Sequence, residues 1–384
     1  MDQAEIGAAP LLAEAVARTG LDDFGSDSLH EGLGFLTASV REGGASGDLL
    51  DLHRKHIADA LDNRLRLIDY AKRHPEVTQA PISRPIFMFG MPRSGTTLSS
   101  YLMDQDPAHR SLLLWEALDS VPPPTSATHR TDPRCLAMVA EQERDFAANP
   151  GQLRPHVEFA DGPTECIRLH AQDFKALFWE AFMPVKAYSR WVLHTDMTSA
   201  YEYQKLAMQV LQSQAPGIWS LKMPSHAIHI EALIKVFPDA RLVWVHRDPH
   251  RSLASLFSMK SRRWKQMTGD ANLPWLREHY TVQMAEHLNR PLRLRERIGA
   301  DRIYDLKYAD MMRDPIGTLR GLYAWAGDEF TLQAEAGMRA WLAKNPQGRF
   351  GDHRYQLEDF GLSEAALRPY FSDYFDVFST EREP

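Results

Sequence analysis

Apolar positions change their rhythm once along the chain. From about residue 9 to 75 they recur at helical spacing. In LLDLHRKHIADALDNRLRLIDYAKRH, for example, Leu49, Leu50, Ile57, Leu61, Leu65, Leu67 and Ile68 are interleaved with charged residues, the pattern of amphipathic helices. HPEVTQAPISRP then breaks the pattern with prolines and polar residues and predicts a loop. After it come short, continuous apolar runs. PIFMFG, Pro85 to Gly90, predicts a strand covered on both faces, as in the middle of a parallel sheet. IWSLKMP, ARLVWVH and RIYDLKY (Arg302 to Tyr308) predict three more strands. Helices are expected over TTLSSYLMDQ, from His229 to Phe237, from Pro249 through Ser255, and after Asp314-Pro315. Strands alternating with helices make βαβ units. The expectation is therefore a three-layer α/β fold, a parallel sheet flanked by helices, over residues 81–384, with an N-terminal helical extension over 1–80. Ligands in such sheets bind beyond the carboxyl ends of the strands.

Composition adds exclusions. The 384 residues carry a net charge of −7, without the basic footprint that nucleic-acid binding needs. An anionic ligand must be gripped by local Arg, Lys and backbone N–H groups. No apolar run reaches the roughly 18–20 residues of a membrane span. MDQAEIGAAPLLAEA lacks the basic start of a secretory signal. Two distant cysteines, Cys135 and Cys166, suit neither a disulfide framework nor a zinc cluster, and a cytoplasmic location is expected. His156, His170, His194 and His229 have no metal-ligand spacing.

Two segments carry chemistry. Gly90-Met91-Pro92-Arg93-Ser94-Gly95-Thr96-Thr97 follows a strand and opens a helix, the setting of a phosphate-binding loop. Its spacing is that of a Walker A loop, with Thr96 where the lysine belongs. That lysine reaches the β- and γ-phosphates of a triphosphate, so a shorter anion held by Arg93 is the better fit. Downstream, Arg247-Asp248-Pro249-His250-Arg251-Ser252-Leu253-Ala254-Ser255 sets an arginine at a strand end, where its fork can clasp a phosphate. Ser255 reaches the same anion only if the helix turns back after Pro249.

Together, GMPRSGTT and RDPHRSLAS resemble the PAPS-dependent sulfotransferase superfamily (PAPS is 3′-phosphoadenosine-5′-phosphosulfate). LLLWEALDSVPPP, WSLKMPSH, KYADMMRDP and GDHRYQLEDFGL resemble a bacterial branch of it, and the likeness runs from about residue 85 to 378. The resemblance implies a five-stranded parallel sheet similar to nucleotide kinases. It implies PAPS as sulfuryl donor, no required metal and a small hydroxylated acceptor, whose pocket is expected from residues 115–200, 258–290 and part of the N-terminal region. Arg93, Ser94, Gly95, Thr96 and Thr97 would hold the 5′-phosphosulfate, and Arg247 and Ser255 the 3′-phosphate. Tyr308 would lie near adenine. Arg349 and Arg354, in GRFGDHR, would close the 3′-phosphate site.

Sulfuryl transfer, like phosphoryl transfer, is expected to be loose and in line, with charge growing on the departing 5′-phosphate oxygen. Lys222, at the end of its strand, is the cation expected there. For the base that takes the acceptor proton two residues compete. Glu116, beside Trp115, has a counterpart in tyrosine-sulfating members at a similar remove. His226, four residues after Lys222, resembles the histidine of cytosolic members. An ion pair is the bland role for Glu116; a helix N-cap neighbour or a core position is the bland role for His226. Glu165 and Trp191 fit either an acceptor pocket or packing. The basic run Lys260 to Lys265 fits either a solvated face or a lid. A P-loop kinase or NTPase, and a nucleotide-binding protein without transfer activity, remain rival readings. The oligomeric state is open, a homodimer among the options.

Overall fold

The computed structural model describes residues 6–148, 158–346 and 356–378. Five strands form one parallel sheet: β1 (Ile86–Gly90), β2 (His109–Arg110), β3 (Ile218–Lys222), β4 (Arg241–His246) and β5 (Ile303–Lys307), in the order β2-β3-β1-β4-β5. Four of these are the strands expected from the apolar runs. The fifth, β2, is two residues long and has no run to announce it.

β1 explains why the sheet is buried on both sides. Phe87 and Phe89 enter the larger apolar core on one face, Ile86 and Met88 the smaller core on the other. A parallel sheet with helices on both faces has no wet side. In register, Met88 lies beside Lys222 and Gly90 beside Val245. The loop after β1 thus opens at the centre of the sheet, with the end of β3 on one flank and the end of β4 on the other. This is the switch point at which open α/β sheets bind ligands.

Residues 6–80 fold as three main helices, α1 (Ala8–Thr19), α2 (Ser28–Glu42) and α3 (Gly47–Arg73), and the predicted loop after them contains one short helical turn, Pro75–Thr78. Leu29, Leu33, Leu36, Ile57, Leu61 and Leu65 join the same core as the sheet. A buried ion pair fastens α3 to the rest: Arg64 Nη1 lies 3.0 Å from Asp173 Oδ1, with the two side chains 1% and 0% exposed. Charges removed from water need every partner they can find. Arg64 also donates to the carbonyls of Phe24 (2.7 Å) and Gln172 (3.2 Å) and lies over the Tyr203 ring, while Asp173 accepts from the Ser28 and Ser199 hydroxyls.

Candidate active site

The loop Gly90–Thr97 needs its glycines where they stand. Gly90 has φ 155°, and a Cβ there would come within 2.5 Å of the Val245 carbonyl oxygen. Gly95 has φ 96°, and a Cβ would strike the Tyr308 ring at 2.6 Å. Only glycine combines such dihedrals with such approach. Arg93 is left-handed too, at φ 73° without being glycine. That costs on the order of 1–3 kcal/mol and is typical of loops shaped for a ligand. Thr96 opens the helix Thr96–Met103, whose N-terminus carries the partial positive charge that favours an anion. Thr97 is partly exposed, and Ser94 is buried with an Oγ that has no partner among the described residues.

The second segment folds onto the first. Asp248 caps the helix Pro249–Thr268 by accepting the His250 N–H at 2.8 Å, with Pro249 in the first turn. The helix then runs back over the loop, bringing Ser255 Oγ to 3.2 Å from Arg93 Nε, the donor. Arg247 Nη1 donates to the Arg93 carbonyl at 2.7 Å, and its guanidinium lies 4.2 Å from the centre of the Tyr308 ring. Arg93, Gly95, Arg247, Ser255 and Tyr308, spread over more than 200 residues of sequence, therefore form one contact network at the tips of β1, β4 and β5. Tyr308 packs on Arg247 and Gly95. Arg349 and Arg354 lie outside the described residues.

On the other flank Lys222 is buried and its Nζ lies 2.8 Å from Glu165 Oε1. The Cys166 N–H donates to the Lys222 carbonyl at 3.1 Å, fixing this segment against β3. Glu165 is partly exposed, with 19% of its side chain accessible.

Both base candidates lie in closed surroundings. Glu116 is fully buried. Arg110 donates to both its oxygens (2.8 and 3.0 Å), the Leu113 N–H donates to Oε1 (3.1 Å), and His129 Nε2 lies 3.0 Å from Oε2. Burial alone would raise its pKa, but Arg110 and His129 outweigh it and hold the carboxyl down at about 2. Such a group is an anchor and a poor proton acceptor. His226 is buried in the turn Pro224–His226, its Nδ1 2.8 Å from the Tyr201 hydroxyl and its ring edge-on to Phe87. Desolvation, with His170 adding to it, drives its pKa far below that of a free imidazole. The ion-pair and core roles describe these two residues. The basic run is divided: Lys260 turns inward to Glu180, while Arg262, Arg263 and Lys265 are exposed.

Since the depressed pKa of Glu116 marks a charge favoured by folding, its contribution is complete above the free carboxyl range and fades as pH falls from about 4.5 towards 2. Glu116→Gln should lose about 3–5 kcal/mol at pH 7, and less at pH 3, in urea unfolding followed at both pH values.

Comparison with known proteins decides what this network belongs to. The profile described as the sulfotransferase family matches residues 85–331, from β1 past both the Gly90–Thr97 loop and the Arg247–Ser255 segment. The chain belongs to the sulfotransferase family. Among solved structures, this sulfotransferase superposes on sulfotransferase STF9 from Mycobacterium avium with a TM-score of 0.92 at 45% identity, covering 99% of this chain and 98% of that one. Sulfotransferase STF1 from Mycobacterium tuberculosis H37Rv gives a TM-score of 0.83 at 29% identity, covering 96% and 99%. Among curated proteins, the omega-hydroxy-beta-dihydromenaquinone-9 sulfotransferase Stf3 of Mycobacterium bovis is 32% identical over 168 residues, 42% of this chain. The match spans about two-fifths (41%) of that relative's length. Family membership sets the kinase and NTPase readings aside. Among the described residues no cluster of His, Cys, Asp and Glu has the makings of a metal site, and no helix is long and apolar enough to cross a membrane.

Proposed function

We propose that this sulfotransferase moves a sulfuryl group from PAPS to the hydroxyl of a small, largely apolar acceptor and releases the bisphosphorylated nucleotide PAP. The joined network of Arg93, Ser255 and Arg247 carries the reading. It sets two anion-binding segments side by side at the centre of the sheet, as a nucleotide with phosphate at both its 3′ and 5′ ends requires. The orphan hydroxyl of Ser94 and the helix N-terminus at Thr96 and Thr97 fit the 5′-phosphosulfate. Arg247 and Ser255 fit the 3′-phosphate. Tyr308, packed on Arg247, orients that guanidinium near the nucleoside.

Lys222 borders the loop by register and stabilises the charge that develops on the departing phosphate oxygen, a contribution worth roughly 3–4 kcal/mol for a well-placed donor. Glu165, oriented by Lys222 and partly open, takes the acceptor proton. The acceptor oxygen bonds to sulfur as the bridging S–O bond breaks, and its electron pair leaves with PAP. An apolar acceptor suits Phe178, the partly exposed aromatic in the segment that follows Glu165. The name of the Stf3 relatives, with its omega-hydroxylated dihydromenaquinone, points the same way.

The test is incubation with labelled PAPS and a panel of hydroxylated metabolites. Formation of a sulfated product together with stoichiometric PAP is expected. A protein that holds PAP and sulfates nothing would favour the reading of a nucleotide-binding protein without transfer activity.

A further inference from the structure

From Lys222 a line of contacts leads away from the donor network into the N-terminal extension. Lys222 holds Glu165. One helical turn further, Arg168 pairs with Glu158, which also accepts from the Thr164 hydroxyl at 2.7 Å. The Arg168 guanidinium lies 4.7 Å from the centre of the Phe178 ring. Phe178 meets His56 of α3 edge-on at 5.5 Å, and His56 stacks on Phe182 at 5.0 Å with an interplanar angle of 16°.

Three features mark this line as the wall of a site. Glu158, Glu165, Arg168, Phe178 and His56 are all partly exposed, whereas the residues of a closed interface would be covered. Directly behind, His53 is fully buried with both ring nitrogens unpartnered among the described residues, and Arg168 Nε is unpartnered too. Buried polar atoms without partners are uncommon in a finished core. Finally, the wall begins at the carboxylate proposed to receive the acceptor proton.

We infer that α3 of the extension forms part of the acceptor site, with the His56 ring touching the apolar body of the alcohol whose hydroxyl Glu165 faces. The inference rests on the reading of the protein as a PAPS-dependent sulfotransferase. Desolvation, with Arg168 adding to it, lowers the His56 pKa to about 4. The ring is therefore neutral at pH 7 and offers an aromatic surface without charge, suited to an apolar body.

The experiment measures binding of 1-naphthol, by its fluorescence, to the full chain saturated with PAP. His56→Ala should weaken 1-naphthol at least about fivefold. His56→Phe keeps the stack on Phe182 and should stay within about twofold of the parent. PAP affinity should be unchanged in both. Equal 1-naphthol affinity in His56→Ala overturns the inference. So does a parallel fall in PAP affinity, which would place the effect in the fold, and so does a parent protein that holds PAP yet binds no 1-naphthol. A parent protein that fails to hold PAP would instead sink the functional reading beneath it.

Discussion

Arg247→Ala should weaken PAP binding by about 2–5 kcal/mol, roughly 30-fold to several thousand-fold, the usual loss when one partner of a hydrogen-bonded charge pair is removed. The size follows from three contributions of one side chain. On the proposed reading its guanidinium supplies a forked charge for the 3′-phosphate. It donates to the carbonyl of Arg93, the strained residue of the loop, at 2.7 Å. It also lies on Tyr308, which closes over Gly95. Removing it takes away the proposed ligand for one phosphate and a brace for the loop proposed to meet the other. Arg247→Lys keeps the charge without the planar fork and should recover little. Calorimetric titration with PAP measures the loss, with thermal unfolding as the check on folding. A titration indistinguishable from the parent protein would contradict the placement of the nucleotide.

Glu165→Gln should lower kcat by roughly 10²–10⁴, the range for loss of a positioned base, with PAP affinity within about twofold of the parent. Glu165 shares its contact with Lys222, and the amide keeps the shape of the carboxylate but cannot accept the proton. The informative comparison is with the two residues favoured from sequence. Glu116→Gln and His226→Asn should show their losses mainly in stability, since both side chains lie fully buried among fixed partners. If instead Glu165→Gln turned over normally and one of the other two did not, the base would have to be reassigned to that residue.

Glu116 and Glu165 differ in their surroundings more than in their place in the sequence. Both are acids in the stretch between β2 and β3. Glu116 stands next to a tryptophan in a segment that resembles the family, which drew attention to it. What separates them is the company they keep: Arg110, six residues before Glu116, turns back from β2 to clamp it. β2 is too short to be seen as a strand in advance, so the clamp was invisible as well. Glu165 gave only the weak signal of a charged residue in PTEC, and its pairing with a lysine 57 residues away is made by folding. His56 lay hidden in an ordinary amphipathic pattern, where a histidine after Arg54 and Lys55 looks like solvated surface.

The chain's own order of residues determined the parallel sheet, through runs apolar on both faces, and the phosphate-type loop, through the glycine-containing turn set between a strand and a helix. It also determined that Arg247 stands at a strand tip with Ser255 eight residues on. Only the tertiary structure decided that Ser255 meets Arg93, that Glu116 is fully buried while Glu165 stays partly exposed, and that His56 of α3 packs on Phe178 and Phe182. The reason is physical. Local pattern reports on backbone geometry and on which faces must be buried, because those depend on near neighbours. The role of a charged side chain depends on which opposite charges and how much water surround it, and those come from parts of the chain far away in sequence.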